Sequence, residues 1–576
     1  MPDSIGQIGE HRTVVEVGDV NDVSCRSQVL GERQNSRRQA LGVMKDHELR
    51  DSRIVNPSRA SRTCGQPGVV LQARGNRLRP CSSPVRKDLA AMNDSELAEI
   101  AGALEELRVE LLAAERASVE PGHLTGDARS SAVNLVHYVE FRSRDMRDLQ
   151  QMLLRHGLSS LGRAEASVLA SLDAVLDVVG DLREASPAQR EASECAPAQE
   201  TGRSLLEARA NELFGPAEED RPARIMVTMP SAAASDRGLV HSMVAAGMDV
   251  ARINTVHDAP PAWLAIAKNV REAAPPGRAS PRVLVDIPGP KSRTGPLPAD
   301  EPLVLRAGDR LTLLRNGSAE REPPAIGCSL AIAFDLVRAG DPVSLDDGKF
   351  AGVIERVDTD RMLVRIDRAG TGRAKLRAEK GINFPRTDLS DAALPQEDRE
   401  ALRFAAAHAD IAGLSFVSKP EHIRVACETL DAHGGERVGI ILKIETVAAF
   451  ERLPELLLEA LAQERPAGVM IARGDLAVEV GPERLAEVQE QVLWLCEAAH
   501  LPAIWATQVL ESLAKKGFPS RAEITDAAMG ARAECVMLNK GPRIVDAIGA
   551  LDSILRRMAA HQVKKTALLR RLTAWE

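Results

Sequence analysis

Eight short apolar runs, most followed by a stretch of helical character, constrain what the chain beyond Arg224 can fold into. They are Ile225–Thr228, Val250–Asn254, Val283–Ile287, Ile411–Phe416, Ile440–Ile444, Val469–Ala472, Ile504–Thr507 and Cys535–Leu538. Such runs have strand length and carry the β-branched residues that suit a buried strand. Asp258–Ala274 follows the second run, with an Asp at its start and prolines in its first turn. Pro482–Ala499 follows the sixth and sets Leu485, Val488, Val492 and Leu495 on one face. Eight strands alternating with helices predict an α/β fold of the TIM (β/α)8 barrel type, whose chemistry sits at the strand C-termini. Aromatics are only 2% of the chain, so the cores must be built from Leu, Val, Ile and Ala.

One connection is far too long for a barrel loop. Between Ile287 and Ile411 lie alternating segments at Arg310–Leu314, Pro342–Leu345, Phe350–Val357 and Met362–Asp367, separated by turns such as Asp346-Asp347-Gly348. Residues 296–379 are therefore read as an inserted small β-barrel lid, with the barrel in two parts, 204–295 and 380–576. Upstream, an α-helical region is predicted over 92–182. Leu97, Ile100, Leu104, Leu107 and Leu111 mark one helix face, a second helix is expected near Ala132–Leu154, and a third near Arg163–Val179. The cluster Asn134, His137, Tyr138, Arg142, Arg144 and Asp145 is read as a solvated helix face with capping. Residues 183–203 are rich in Ala, Glu, Ser and Pro and read as a linker, followed by a short helix over Ser204–Phe214. Residues 1–91 carry 15 Lys+Arg against 10 Asp+Glu and little apolar periodicity. They are expected to be disordered, or an extension upstream of a true start at Met92.

A formal net charge of −8 argues against general nucleic-acid binding. No apolar run is long enough for a bilayer, so no membrane is expected. Eight scattered cysteines without metal or CxxC spacing point to reduced thiols and a cytoplasmic protein.

The chemistry is written at the strand ends. Strand five ends Leu442-Lys443-Ile444-Glu445, and residues two apart on a strand share a face, so Lys443 and Glu445 point together into the barrel mouth. Strand six ends Ala472-Arg473-Gly474-Asp475, which adds a second carboxylate at that level. Two carboxylates with open positions suit Mg2+ (or Mn2+), and an ammonium beside them can neutralise charge on a phosphoryl group or an enolate. Arg252, near the end of strand two, is placed to grip phosphate, and Thr507, at the end of strand seven, offers a hydroxyl. Backbone N–H groups after Arg473, where Gly474 permits close approach, are candidates to cradle a carboxylate.

At these residues the chain resembles the pyruvate kinase family. The matching stretches are AAGMDVARIN (245–254), DIPGPKSRTG (286–295), SLDDGKF (344–350), KGINFP (380–385), LKIET (442–446), VMIARGDLAVE (469–479), ATQVLESL (506–513) and PSRAEITD (519–526). They run in order and at the family's spacing over residues 224–560. The resemblance implies phosphoryl transfer from phosphoenolpyruvate to ADP, giving pyruvate and ATP. It implies Lys443 as stabiliser of the enolate and the transferring phosphoryl group, with Glu445 and Asp475 as ligands of the divalent ion. Substrate is held by Arg252, Gly474, Asp475 and Thr507, with Thr507 beside the reacting methylene. Arg293, His257, Lys380 and Asn254 match the nucleotide side, and Asp347 matches the lid's acidic turn.

The chain also departs from the family. Asn254 and Asp286 remain at the position where the family binds potassium, but Val256 and Ile287 replace its other two oxygen-bearing residues. Lys291 stands where a Glu commonly follows Gly-Pro, and its fixed ammonium is read as a substitute for the monovalent cation. Activity is therefore expected to need no K+. Met229-Pro230-Ser231 after strand one and Met537-Leu538-Asn539-Lys540-Gly541-Pro542 after strand eight differ from the family's loops. The chain ends soon after the last barrel helix, so regulation by fructose 1,6-bisphosphate and the usual tetramer are not expected, although another homo-oligomer is. Two alternatives stand beside this reading: a barrel enzyme using Mg2+–enolate chemistry on another substrate, and a non-catalytic scaffold binding a partner through its N-terminal helices.

Overall fold

In a computed structural model of the chain, residues 84–119, 124–183, 191–274, 277, 279–297, 301–315, 317, 320–321, 324–370, 374–390 and 394–568 are described. The extension expected over 1–91 lies outside them except for 84–91, which open a helix running Pro84–Ser118 straight through Met92.

All eight predicted strands form and close into a parallel barrel. In chain order they are Arg224–Thr228, Val250–Asn254, Arg282–Asp286, Ile411–Leu414, Gly439–Ile444, Ala467–Ala472, Ala503–Val509 and Cys535–Leu538, and the last pairs with the first. Barrel residues alternate between two cores. Met226, Val250, Leu284, Ile411, Ile441, Met470, Ile504 and Cys535 fill the interior, while their strand neighbours face the surrounding helices. Leu213 and Phe214, ending the helix Gln199–Phe214, plug the bottom of the barrel. Gly439 and Gly468 make room for the plug, since a Cβ there would stand 2.6 and 2.9 Å from Leu213. A closed bottom leaves the C-terminal mouth as the open end, and there the strands deliver their polar residues.

The insertion after strand three is a curled seven-stranded sheet with a separate two-stranded ladder, Leu303–Leu305 with Ala374–Leu376. Its longest strands, Phe350–Val357 and Arg361–Ala369, pair antiparallel and turn Phe350, Ile354, Met362, Val364 and Ile366 into their own core. Ile382–Asn383, where the chain returns to the barrel, pairs with Pro342–Leu345 and ties the lid to the mouth.

The N-terminal helices correct several expectations. The helix expected over Ala132–Leu154 is two, Gly126–Arg142 and Arg147–Arg155, and the third starts at Val168 and ends at Leu182. The helix expected from Ser204 already begins at Gln199. The polar cluster is a solvated face with capping only at Arg142, Arg144 and Asp145, where Asp145 Oδ1 accepts from the Arg147 N–H at 3.0 Å. Asn134, His137 and Tyr138 are buried, and only Arg144 and Asp145 form surface ion pairs, with Glu110 and Arg147. Asn134 Nδ2 donates to the carbonyls of Glu165 at 2.7 Å and Ala498 at 2.9 Å, and its Oδ1 accepts from Val168 N–H at 2.9 Å. Ala498 ends the barrel helix Leu485–Ala498, so the cluster bolts the helical region to the barrel. A buried amide needs such partners, and here a second packing layer supplies them.

Candidate active site

Barrel register brings the strand ends to one level: Thr228 pairs with Arg252, Asn254 with Asp286, and Ile444 with Ile471. At their centre is buried Asp286. Arg252 donates to its Oδ2 through Nε at 2.9 Å and through a terminal N–H as well, while Arg252 Nη1 donates to Thr228 Oγ1 at 2.9 Å. The Lys443 ammonium lies 3.3 Å from Asp286 and 3.2 Å from Glu445 Oε1, and donates to Ser415 Oγ at 2.5 Å. Burial works against charge on Lys443, but Asp286 and Glu445 outweigh it and hold the ammonium above the usual lysine value. Glu445 is pushed up by burial, with Lys443 opposing and the nearby Asp475 adding to the rise. Its Oε2 accepts from the Phe416 N–H at 2.7 Å, a donor turned inward by a left-handed backbone at Phe416, φ 56°.

Asp475 stands in the first turn of the helix Arg473–Val480, where backbone N–H groups have no intrahelical acceptor and favour an anion. The Lys291 ammonium donates to Asp475 Oδ1 at 2.6 Å and lies 5.9 Å from the Phe416 ring centre. Thr507 joins the site with a buried hydroxyl that has no hydrogen-bond partner among the described residues.

These groups line one cavity of about 180 Å3, shared by Arg252, Asn254, Asp286, Lys291, Arg293, Ser415, Lys443, Glu445, Gly474, Asp475 and Thr507. Of the predicted residues, His257 and Lys380 are not on this lining. Lys380 instead pairs with Asp346 of the lid turn at 3.1 Å. His257 is lowered by burial and then by Lys540, with Arg252 and Arg293 adding to the effect, which puts it among cations at the rim. Lys291 shares the cavity with Asn254 and Asp286, but its ammonium is committed to Asp475. Val256 and Ile287 also line this cavity, and Val256 is exposed there.

Among the described residues no three His, Cys, Asp or Glu are grouped to hold a metal. Two carboxylates are present, and Asp475 raises Glu445 through like-charge repulsion that a cation would relieve. The pair fits a Mg2+ that takes few protein ligands and keeps open positions for substrate oxygens and water. The sequence reading missed Ser415, Phe416 and Thr228. The first two extend strand four at its C-terminal end, which is where a barrel presents functional groups, so position was the available signal.

A closed parallel barrel with an inserted β lid, whose mouth gathers four cations, three carboxylates and a helix start, defines a lidded (β/α)8 barrel with a densely charged site at its mouth. Comparison with known proteins specifies the family. The sequence pattern "Pyruvate kinase, barrel domain" matches residues 220–542, more than half of the chain, which therefore belongs to the pyruvate kinase family. Pyruvate kinase of Thermotoga maritima is 34% identical over 50% of this chain and 60% of its own length. That of Mycobacterium intracellulare is 32% identical over 55% and 65%, and pyruvate kinase PKLR of Rattus norvegicus 29% over 59% and 60%. The chain thus spans about three-fifths of the length of these relatives.

Proposed function

We propose that the chain catalyses transfer of the phosphoryl group of phosphoenolpyruvate to ADP, giving pyruvate and ATP. The observation that carries this reading is the convergence of Arg252, Lys443, Glu445, Asp475 and Thr507 on one cavity at the barrel mouth. Arg252, anchored by Asp286, has an N–H fork suited to the phosphoryl oxygens. Lys443 holds its ammonium against oxygen ligands and would stabilise the enolate oxygen as the phosphoryl group leaves. The N–H groups at Gly474 and Asp475 would receive the substrate carboxylate. The Thr507 hydroxyl, buried on the same cavity, would sit beside the enolate carbon as it takes up its proton. Mg2+, held by Glu445 and Asp475, would supply Lewis-acid charge to the substrate oxygens. On the nucleotide side, Arg293, His257 and Lys380 would meet the phosphates as the lid closes.

The reading includes independence from K+, because Lys291 brings a fixed positive charge into the cavity that holds Asn254 and Asp286. It also includes a cytoplasmic location. Cys195, Cys328, Cys427, Cys496 and Cys535 are free thiols, and no described helix is long and apolar enough to cross a membrane.

The test is a coupled assay of pyruvate formation from phosphoenolpyruvate, ADP and Mg2+, with and without KCl at constant ionic strength, beside Lys443→Met. Turnover that is insensitive to KCl and lost by at least about a thousandfold in the variant is expected, as for removal of a central electrostatic group. Strong activation by KCl would refute the role of Lys291. Absence of turnover with Mg2+-dependent oxalate binding intact would favour Mg2+–enolate chemistry on another substrate, and absence of both would favour a scaffold.

A further inference from the structure

Strand seven breaks its pairing at the site. Its register with strand eight runs through Trp505↔Val536 and resumes only at Val509↔Leu538. Within the gap, Thr507 and Gln508 have φ of 64° and 58°, and Leu510 follows at 46°. Two successive residues in the left-handed region, one of them β-branched, do not hold this shape by local preference. Something outside the strand must fix it.

Arg473 is placed to do so. Its Nε donates to the Ala506 carbonyl at 2.7 Å and its Nη2 to the Thr507 carbonyl at 2.5 Å. The guanidinium is in turn held by both carboxylate oxygens of Asp526, one of them at 2.8 Å, from the helix Arg521–Gly530. It lies over the Trp505 ring, its central carbon 4.6 Å from the ring centre, and Trp505 Nε1 donates to Asp526 Oδ1 at 3.2 Å. The guanidinium thus ties both kinked carbonyls to a carboxylate with its own fixed position. A lysine could not make that set of bonds, because its ammonium lacks the planar fork.

We propose that Arg473 and Asp526 are positioning residues, a clamp that holds Thr507 in its left-handed conformation and so aims the unpartnered Thr507 hydroxyl at the reacting carbon. Arg473 contacts no reacting atom in this scheme and acts only through the Thr507 backbone. The inference rests on the reading of Thr507 under the proposed function, but the clamp itself is a geometric claim. A misaimed hydroxyl should slow the chemical step more than substrate binding, since Arg252, Lys443 and the helix start remain in place.

The full-length chain is compared with Arg473→Met, Arg473→Lys and Asp526→Asn, by crystallography and by the coupled assay. Expected are a Thr507 backbone that leaves the left-handed region in Arg473→Met and a kcat reduced about tenfold to a hundredfold. KM for phosphoenolpyruvate should stay within about twofold, and Arg473→Lys should fail to restore kcat. Thr507 still left-handed in Arg473→Met, or a variant that loses only thermal stability at wild-type kcat, overturns the clamp. If Arg473→Met does not fold, Asp526→Asn decides by the same two readings. If the wild-type chain makes no pyruvate, the proposed function fails on its own, and the Thr507 conformation in the variants still decides the clamp.

Discussion

Lys443 and Lys291 carry similar charge in one cavity under different constraints. Lys443 is enclosed by Asp286, Glu445 and Ser415, so it is a fixed part of the mouth. Lys291 reaches Asp475 from the segment after strand three, where it would compete with a divalent ion for that carboxylate. Replacing Lys291 with Met should free Asp475 and tighten apparent Mg2+ affinity about fivefold, as for loss of an ion pair worth about 1 kcal/mol. The same variant should acquire activation by KCl, because the cavity then lacks its fixed cation. Mg2+ titrations of initial rate in both proteins check this, and unchanged half-saturation would show that Lys291 does not contest the carboxylate. Lys443 and Glu445 could be read from sequence because alternation along a strand fixes which side chains share a face, and Asp475 because it follows directly on the C-terminal end of strand six. The inward N–H of Phe416 could not, because it depends on a backbone angle that no residue type at that position announces.

Between elements, the seam joining the helical region to the barrel is built from buried polar contacts. His500, just beyond the barrel helix Leu485–Ala498, donates through Nε2 to the Ala166 carbonyl at 2.9 Å and meets Ser131 Oγ through Nδ1 at 2.8 Å. Arg209 also reaches this point, donating to Ser131 Oγ at 3.0 Å and to the His500 carbonyl at 3.2 Å. Burial, opposed by the Ala166 bond and reinforced by Arg209, lowers His500 to about 4. Unfolded, the ring would bind a proton near pH 6.5, so between about pH 6.5 and 4 the unfolded chain holds more protons than the folded one. The stabilisation is fully present above pH 6.5 and is lost as pH falls toward 4, by on the order of 3 kcal/mol. Thermal unfolding from pH 7 to pH 4 should show the loss, and His500→Gln should flatten it. An equal slope in the variant would assign the pH dependence elsewhere. Helical periodicity identified which residues share a face, but not whether water or a barrel covers it. Asn134, His137 and Tyr138 were therefore misplaced on the surface.

For the molecule as a whole, this seam makes the helices part of the barrel's structure. Gly202 marks how closely the two meet, since a Cβ there would stand 1.9 Å from the Ala166 carbonyl and 2.7 Å from His500 Nε2. Arg142 stacks on Trp494 of the barrel helix at 4.9 Å, and Lys565 lies 4.9 Å from the same ring. A chain lacking residues 84–198 should expose this apolar and aromatic face and leave the Ala498 carbonyl and His500 Nε2 without their partners. It should aggregate or unfold at markedly lower temperature than the full chain, as read by size-exclusion chromatography and calorimetry. A monodisperse, equally stable truncated protein would show the helices to be a separable attachment.

The amino-acid sequence by itself determined the eight-strand barrel, the inserted lid and the strand ends that carry Arg252, Lys443, Glu445, Asp475 and Thr507. Hydrophobic period and strand alternation are local properties, and a parallel barrel converts them directly into an inner face, an outer face and a mouth. Only the tertiary structure decided that Lys291 is committed to Asp475, that Arg473 holds the kinked end of strand seven, and that a polar helix face is buried against the barrel. Each of these depends on residues far apart in sequence meeting at hydrogen-bond distance. Nothing in the local pattern of either partner records that meeting.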